Sequence, residues 1–484
     1  MPTALFCSWC YNIFLHPLRN YPGPKLWAAS GIPYARNFVR GQMHEKVLEL
    51  HKRYGPVIRV EPNKLLYHHA DAVGHIWNRR RPQDSRPALI NALNPNNILC
   101  GPPDKHMRHR RALLPGFSKQ AKLAREGIIQ QYAGLLLAKL QEHSTSLQPV
   151  NISTWIHRAQ GDMVSELTYG ENLGCLQSDS ESPLLAALLD WDVLTAYGVS
   201  MLSFLPTTLL SFMVSWTPSG LESGMLAELT RLSKARTLER MGSVPTEHTD
   251  FVSDDSLNGP AARYTPLTLE EIYSNIKIFT VGALGTMTHL LTATTFYLAT
   301  NPEKMARLAG ELRTAFDIED EINLDGVMAL PYLNAVIHES MRMRPPTPML
   351  FPREVAAGGD SVLGRFIPEG TVVEAWFAAL YRDHEHFVDP DSFLPERWLD
   401  GNDKDERFAR DRREVFMPFG TGPRVCPGKV LANSTGRFFI ARLAWAFDFR
   451  IADQSRNWYE KSKPRVLWSQ PDLYVHLVSR AEKN

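Results

Sequence analysis

The sequence predicts a mainly α protein with a small β subdomain, folded around one large core. Three observations carry this. The chain has 484 residues with 44% hydrophobic and 22% charged side chains, no low-complexity tract and no short repeat, so the apolar mass suits one core rather than a string of small domains. Residues 269–300 read as one unbroken helix of about 32 residues, apolar nearly all round. Strand-like runs are few and short, at 57–60, 65–68 and 372–376.

At the N-terminus, residues 4–15 form an apolar run of about 12 residues, below the roughly 17–25 that span a bilayer. No Lys or Arg precedes it, so the charged start of a signal peptide is missing, while Arg19 and Lys25 follow it. Its Trp and Tyr suit an interface, and the run reads as a short membrane anchor; the alternative is a tail docked on the protein. Cys7 and Cys10 make a lone CxxC with no second pair. His16-Pro17 and Tyr21-Pro22-Gly23-Pro24 then form a stiff hinge. The division is 1–24 for this segment and 25–484 for the main domain.

Further along, 43–53 is an amphipathic helix, and Glu61-Pro62-Asn63 turns a hairpin between the first two strands. Residues 104–145 read as helices, 150–240 as interrupted helix and 241–263 as an exposed loop. The long helix is a membrane decoy. Residues 278–300 carry no charge, yet Thr268 and Glu271 form a capping box, Asn301-Pro302 stops the helix, and seven threonines with His289 are too polar for lipid. It is the central core helix. Helices follow at 302–317 and 331–344, the second opened by Pro331 and ended by Pro345-Pro346, and a last helix spans 430–447.

Lys plus Arg is 53 against 52 for Asp plus Glu, so no basic field advertises nucleic acid. Five cysteines, an odd and small number, fit a reducing compartment in which a special cysteine is chemical. Cys426 is that residue. It lies in the loop Phe419-Gly-Thr-Gly-Pro-Arg424-Val-Cys426-Pro-Gly428, directly before a helix, where backbone N–H groups and the helix dipole are expected to lower its pKa. No Cys or His stands at zinc spacing nearby, so a single axial ligand to haem fits better than zinc. Arg424 has the charge to neutralise a propionate, and Gly422 and Gly428 let the backbone approach a flat macrocycle.

The pattern F-x-x-G-x-R-x-C-x-G resembles the haem-thiolate signature of the cytochrome P450 family. Four further matches follow in that family's order. Glu339-Ser-Met-Arg342 is similar to its E-x-x-R pair, and Pro395-Glu396-Arg397-Trp398 to its P-E-R-F, so the resemblance implies a buried charged triad of Glu339, Arg342 and Arg397. Pro345-Pro346 with Arg353 resembles the pocket-lining segment that gives an Arg to a propionate. His106-Met-Arg-His-Arg110 resembles the W-x-x-x-R helix, with His106 in place of Trp. The resemblance covers about 16–484 and is nearest to filamentous-fungal members of secondary metabolism.

It implies a single-domain fold around a buried heme b with Cys426 as thiolate ligand, and a monooxygenase acting on a lipophilic small molecule. It implies electrons from an NADPH-cytochrome P450 reductase, and a location on the cytosolic face of the endoplasmic reticulum membrane. Expected pocket walls are 99–101, 281–283, 346–350 and 190–215, with Tyr197, Met201 and Phe204. Basic Arg412, Arg413, Lys429, Arg437 and Arg442 are expected to dock the acidic reductase face.

One departure stands out. The family's central helix carries A-G-x-D/E-T-T, and here 282–287 read Gly-Ala-Leu-Gly-Thr-Met. Thr286 matches the threonine, but Gly285 replaces the acid of the proton-delivering pair. A water chain, a substrate hydroxyl or His289, at i+3 from Thr286, would have to serve; His289 otherwise reads as a core histidine. The gap leaves two alternatives open: a haem-thiolate isomerase or dehydratase needing neither O2 nor NADPH, and a non-catalytic haem-binding protein. His68-His69 and His384-Glu385-His386 have ligand chemistry but no partner cluster in sequence, and read as solvated loop residues.

Overall fold

The computed structural model describes residues 2–78, 96–144, 148–178, 182, 225–242, 250–252 and 266–480. The 190–215 pocket wall, with Tyr197, Met201 and Phe204, lies outside the described residues, as does most of the 241–263 loop. Of that loop, Met241 and Gly242 end the helix Met225–Gly242 and are exposed, whereas Asp250, Phe251 and Val252 are buried, against the exposed reading. Phe251 packs its ring on Phe117 and Phe279, which gives the segment an apolar reason to turn inward.

The central helix is Leu269–Thr300, 32 residues, opened by the full capping box: Thr268 Oγ1 accepts from the Glu271 N–H and the Glu271 carboxylate from the Thr268 N–H. Several of its threonines are accommodated by donating to carbonyls one turn back, Thr280 to Ile276, Thr294 to Leu290 and Thr295 to Leu291, while the buried hydroxyls of Thr288 and Thr292 find no partner. Leu290, Leu291, Ala293 and Phe296 join the largest hydrophobic cluster with Ile156 and Met163 of the helix Ile152–Tyr169 and with Phe438 and Phe439 of the helix Lys429–Ala446. The decoy is therefore a core helix, as its caps and threonines predict.

The β part is small and sits to one side. Strands β1 (Val57–Glu61) and β2 (Lys64–Tyr67) form the expected hairpin. The short strand β3 (Val150–Asn151) belongs elsewhere. β4 (Leu350–Glu354), the hairpin β5 (Asp360–Val362) and β6 (Arg365–Ile367), and β7 (Val372–Ala375) follow. β7 inserts between β2, in parallel, and β4, antiparallel, giving the order β1-β2-β7-β4. β8 (Phe447–Ile451) and β9 (Tyr474–Ser479) complete a second sheet with β3. The N-terminal helix Pro2–Phe14 leaves Leu5, Phe6, Trp9, Phe14 and Leu15 exposed.

Candidate haem-thiolate site

Cys426 lies between a short turn of helix, Gly422–Arg424, and the helix Lys429–Ala446. Its N–H donates to the Phe419 carbonyl at 2.9 Å, which closes the loop on itself. Gly420 and Gly422 make that closure possible, with φ of 69° and 70° that side chains rarely adopt. Gly428 is different: its φ is −76°, and an added Cβ would meet Cys426 Sγ at an ordinary 3.8 Å. Its service is its N–H, which with that of Lys429 points at the sulfur.

The expected lowering of the Cys426 pKa is not borne out for the thiol on its own. Burial pushes it up, against the opposing pull of the Gly428 N–H, the Arg110 charge and the Lys429 N–H and charge. The residue is nonetheless exposed on the cysteine loop, so its sulfur is reachable while protein crowds it. A sulfur presented this way becomes a thiolate when a cation binds it.

Cationic and polar heads gather beside it. Arg110, on the helix Pro103–Leu113, donates to the Val425 carbonyl at 2.8 Å and lies near enough to feel the thiolate charge. Arg424 donates to the Gly101 carbonyl at 3.1 Å, which ties the loop to one expected pocket wall. His106 shares Nδ1 with the Ile98 carbonyl at 2.8 Å and turns Nε2 to the Pro423 carbonyl at 3.4 Å. Burial, and then the Arg424 charge, lower its pKa to about 4, so the ring is neutral. Arg353 is buried on β4 against the Phe351 and Pro352 carbonyls.

Past its first turns, the central helix is least buried at 282–286. Gly282 is exposed with nothing within 4 Å of where its Cβ would lie, and Ala283, Gly285 and Thr286 are half-buried, whereas the helix C-terminal to them is buried up to Ala299. Thr286 donates Oγ1 to the Gly282 carbonyl at 2.5 Å. Gly436 lets the cysteine helix come close beside this opening, since a Cβ there would meet Leu290 at 3.0 Å and Met287 at 3.5 Å. His289 has no part in the opening. It is fully buried with its ring stacked on Trp468, centroids 5.6 Å apart and 4° from parallel, and burial and then Arg344 hold its pKa well below the usual range.

Behind the loop, Glu339, Arg342 and Arg397 form one buried network. Both Glu339 oxygens take 2.8 Å bonds from Arg342, and Arg397 Nε donates to Glu339 at 3.1 Å. Burial alone would push the Glu339 carboxyl up; the two arginines outweigh it and hold it down. Two members were missed in the sequence. Asp411 pairs with Arg397, and Trp398 Nε1 donates to Glu339 at 2.9 Å. Trp398 then packs on Phe416, centroids 4.6 Å apart, and the neighbouring Met417 N–H donates to Tyr381 Oη at 3.0 Å, so the network reaches the start of the cysteine loop.

The basic docking patch needs correction. Arg437 and Arg442 are buried, Arg437 in bonds to Asn433 and Asn334 and Arg442 in an ion pair with Glu319. Lys429 is exposed, and Arg412 and Arg413 are partly exposed but paired with Glu414 and Asp400. The histidine reading is also corrected: His384 is exposed, but His68 and His386 are buried side by side with Asp383.

An exposed sulfur beneath backbone N–H groups, a ring of cationic heads and an uncovered stretch of helix fit a flat anionic macrocycle held on one thiolate. Fold and site thus define a helical oxidoreductase scaffold of the haem-thiolate class. Comparison with known proteins agrees. A family model described as Cytochrome P450 matches residues 21–478. The chain is 35% identical over 97% of its length to the trichothecene C-15 hydroxylase of Fusarium sporotrichioides, covering 95% of that protein. It is 32% identical to the cytochrome P450 monooxygenase bet2 of Neocamarosporium betae, over 98% of this chain and 90% of the relative. With the averantin hydroxylase of Dothistroma septosporum it shares 31% identity, over 97% and 88%. The chain belongs to the cytochrome P450 family, and it is a haem-thiolate monooxygenase that acts with O2.

Proposed function

We propose that Cys426 is the axial thiolate of a heme b, and that the enzyme hydroxylates a lipophilic small molecule in fungal secondary metabolism. Relatives named for hydroxylating a trichothecene and averantin support that reaction type. When bound, the haem activates O2 with two electrons from NADPH, so that one oxygen enters the substrate and the other leaves as water. The Gly428 and Lys429 N–H groups and Arg110 offset the charge on the sulfur. Arg110, Arg353, Arg424 and His106 would hold the propionates, and Phe419 anchors the loop through its carbonyl. Thr286 presents a hydroxyl at the uncovered stretch 282–286 of the central helix, where it hands protons to the reaction. The electron donor is an NADPH-cytochrome P450 reductase. Residues 1–24 tether the domain 25–484 to the cytosolic face of the endoplasmic reticulum, through the exposed apolar side chains of Pro2–Phe14.

The observation that carries this reading is the accessible Cys426 sulfur under two backbone N–H groups at the start of a helix. The test is the reduced carbon-monoxide difference spectrum. The wild type should give the thiolate-type Soret band and Cys426→Ala should lose it; a band that survives the substitution overturns the assignment. Product formation should stop when the reductase is omitted; continued turnover would instead favour an isomerase or dehydratase.

A further inference from the structure

Away from the cysteine loop, three groups meet at the end of β2. His68 follows β2, and Asp383 and His386 lie in the turn after the short helix Phe377–Leu380. His68 Nε2 and Asp383 Oδ2 are 2.5 Å apart. One ligand-type atom from each of His68, Asp383 and His386 lies within 4.8 Å of the others. Ligands on a tetrahedral zinc with bonds of about 2.0–2.2 Å stand roughly 3.4 Å apart, so the set is reached by a small opening of the His68–Asp383 contact and a small approach of His386.

The hydrogen-bond geometry suits a cation. His386 gives Nδ1–H to the Leu380 carbonyl at 3.0 Å, which leaves Nε2 as the lone-pair nitrogen; outer carbonyl partners orient metal-binding imidazoles in this way. Asp383 accepts from the Glu385 N–H through its other oxygen at 2.8 Å, which orients the carboxylate. His51 stacks on His68 with centroids 4.8 Å apart. The nearest guanidiniums are occupied, Arg382 by Asp391 and Arg412 by Glu414. His68 Nδ1 is buried without a protein partner, an unusual expense for a ring that served only to cap Asp383.

We propose that His68, Asp383 and His386 form a binding site for a divalent transition metal of the zinc class, a clamp between the end of β2 and the turn after Phe377–Leu380. Metal binding replaces the His68–Asp383 contact and takes His68 as a neutral imidazole, its one ring proton on the nitrogen that does not bind the metal. A water takes the fourth position, since Asp383 is only partly buried. The clamp acts on the support of the cysteine loop. Tyr381, two residues before Asp383, accepts from Arg342 through its carbonyl and from the Met417 N–H through its hydroxyl.

The test uses the haem-loaded full chain, stripped with a chelator and titrated with zinc chloride alone. The wild type should retain one zinc per chain after desalting, with a raised unfolding temperature. His386→Gln should weaken zinc binding by about 100-fold or more and abolish that rise, because it removes a ligand and not an outer partner. His384→Gln, on the exposed neighbour, should change neither. Equal zinc retention by wild type and His386→Gln overturns the site. Should His386→Gln fail to fold, zinc-edge X-ray absorption of the wild type decides. Nitrogen and oxygen ligands with two imidazoles support the site, and sulfur ligands from Cys7 and Cys10 overturn it.

Discussion

Leu467 occupies the space that a side chain at Gly285 would need: a Cβ there would lie 2.7 Å from Leu467 Cδ1. The missing acid of the central helix is therefore not a hole awaiting a carboxylate. Leu467 comes from a tight turn in which Arg465 N–H donates to the Leu467 carbonyl at 2.7 Å, almost two hundred residues downstream. Glycine and leucine form a matched pair, and the apolar neighbour would desolvate any acid placed beside it.

It follows that Gly285→Asp alone should not improve coupling of NADPH to product. It should cost about 1–3 kcal/mol through overpacking. Adding Leu467→Ala should recover much of that loss and raise coupling, a non-additive result in a double-mutant cycle. Better coupling in Gly285→Asp alone, with unchanged stability, would show that Leu467 does not set this constraint.

Thr286 is the polar side chain at the uncovered stretch of the central helix, bonded within its own helix to Gly282. Thr286→Ala should leave the carbon-monoxide spectrum intact while product per NADPH falls by about a hundredfold, the smaller end of a lost proton-transfer contribution. Measured hydrogen peroxide should account for the missing electrons. An unchanged product ratio would assign proton delivery to other groups.

The central helix, its cap and the cysteine loop were legible because local rules write them. The capping box needs only Thr268 and Glu271, and the loop needs its glycines and Cys426. The triad was legible only through family resemblance, since an i,i+3 Glu–Arg pair is common on any exposed helix. Trp398 escaped because its partner Glu339 lies 59 residues away, and Asp411 because its partner Arg397 is reached through a loop that no spacing rule connects. His68 and His386 were read as solvated for the same reason, and the parallel insertion of β7 beside β2 is what lies between those two readings. Arg437 and Arg442 looked like surface charge because sequence proximity to Cys426 says nothing about which helix face they take.

The buried network makes unequal predictions for its members. Glu339→Ala leaves Arg342 and Arg397 buried without their shared carboxylate and should destabilise by about 3–5 kcal/mol, with poor haem retention. Trp398→Phe keeps the ring stack on Phe416 and removes one bond to a charged oxygen, so about 1.5–3 kcal/mol is expected. Denaturant unfolding of both variants checks the order. Equal losses would mean that the indole N–H matters as much as the charge.

Acid should act on this protein through buried histidines before it reaches the carboxylates. Burial lowers the pKa of His157 from 6.5 to about 4, and burial followed by Arg344 lowers that of His44 to about 3. A histidine with a folded pKa below its unfolded one stays neutral in the fold while the unfolded chain takes up a proton. These groups leave stability unchanged above about pH 6.5 and reduce it as pH falls toward their folded values. At pH 5, 1.5 units below 6.5, each contributes a loss of about 2 kcal/mol. The unfolding free energy should therefore drop by about 4 kcal/mol between pH 7 and 5 from these two alone. His157→Gln cannot titrate, so its pH profile should be shallower by about 2 kcal/mol over that interval. A His157→Gln profile parallel to the wild type would mean that the ring is already protonated in the fold, and that the packing around the helix Ile152–Tyr169 admits charge.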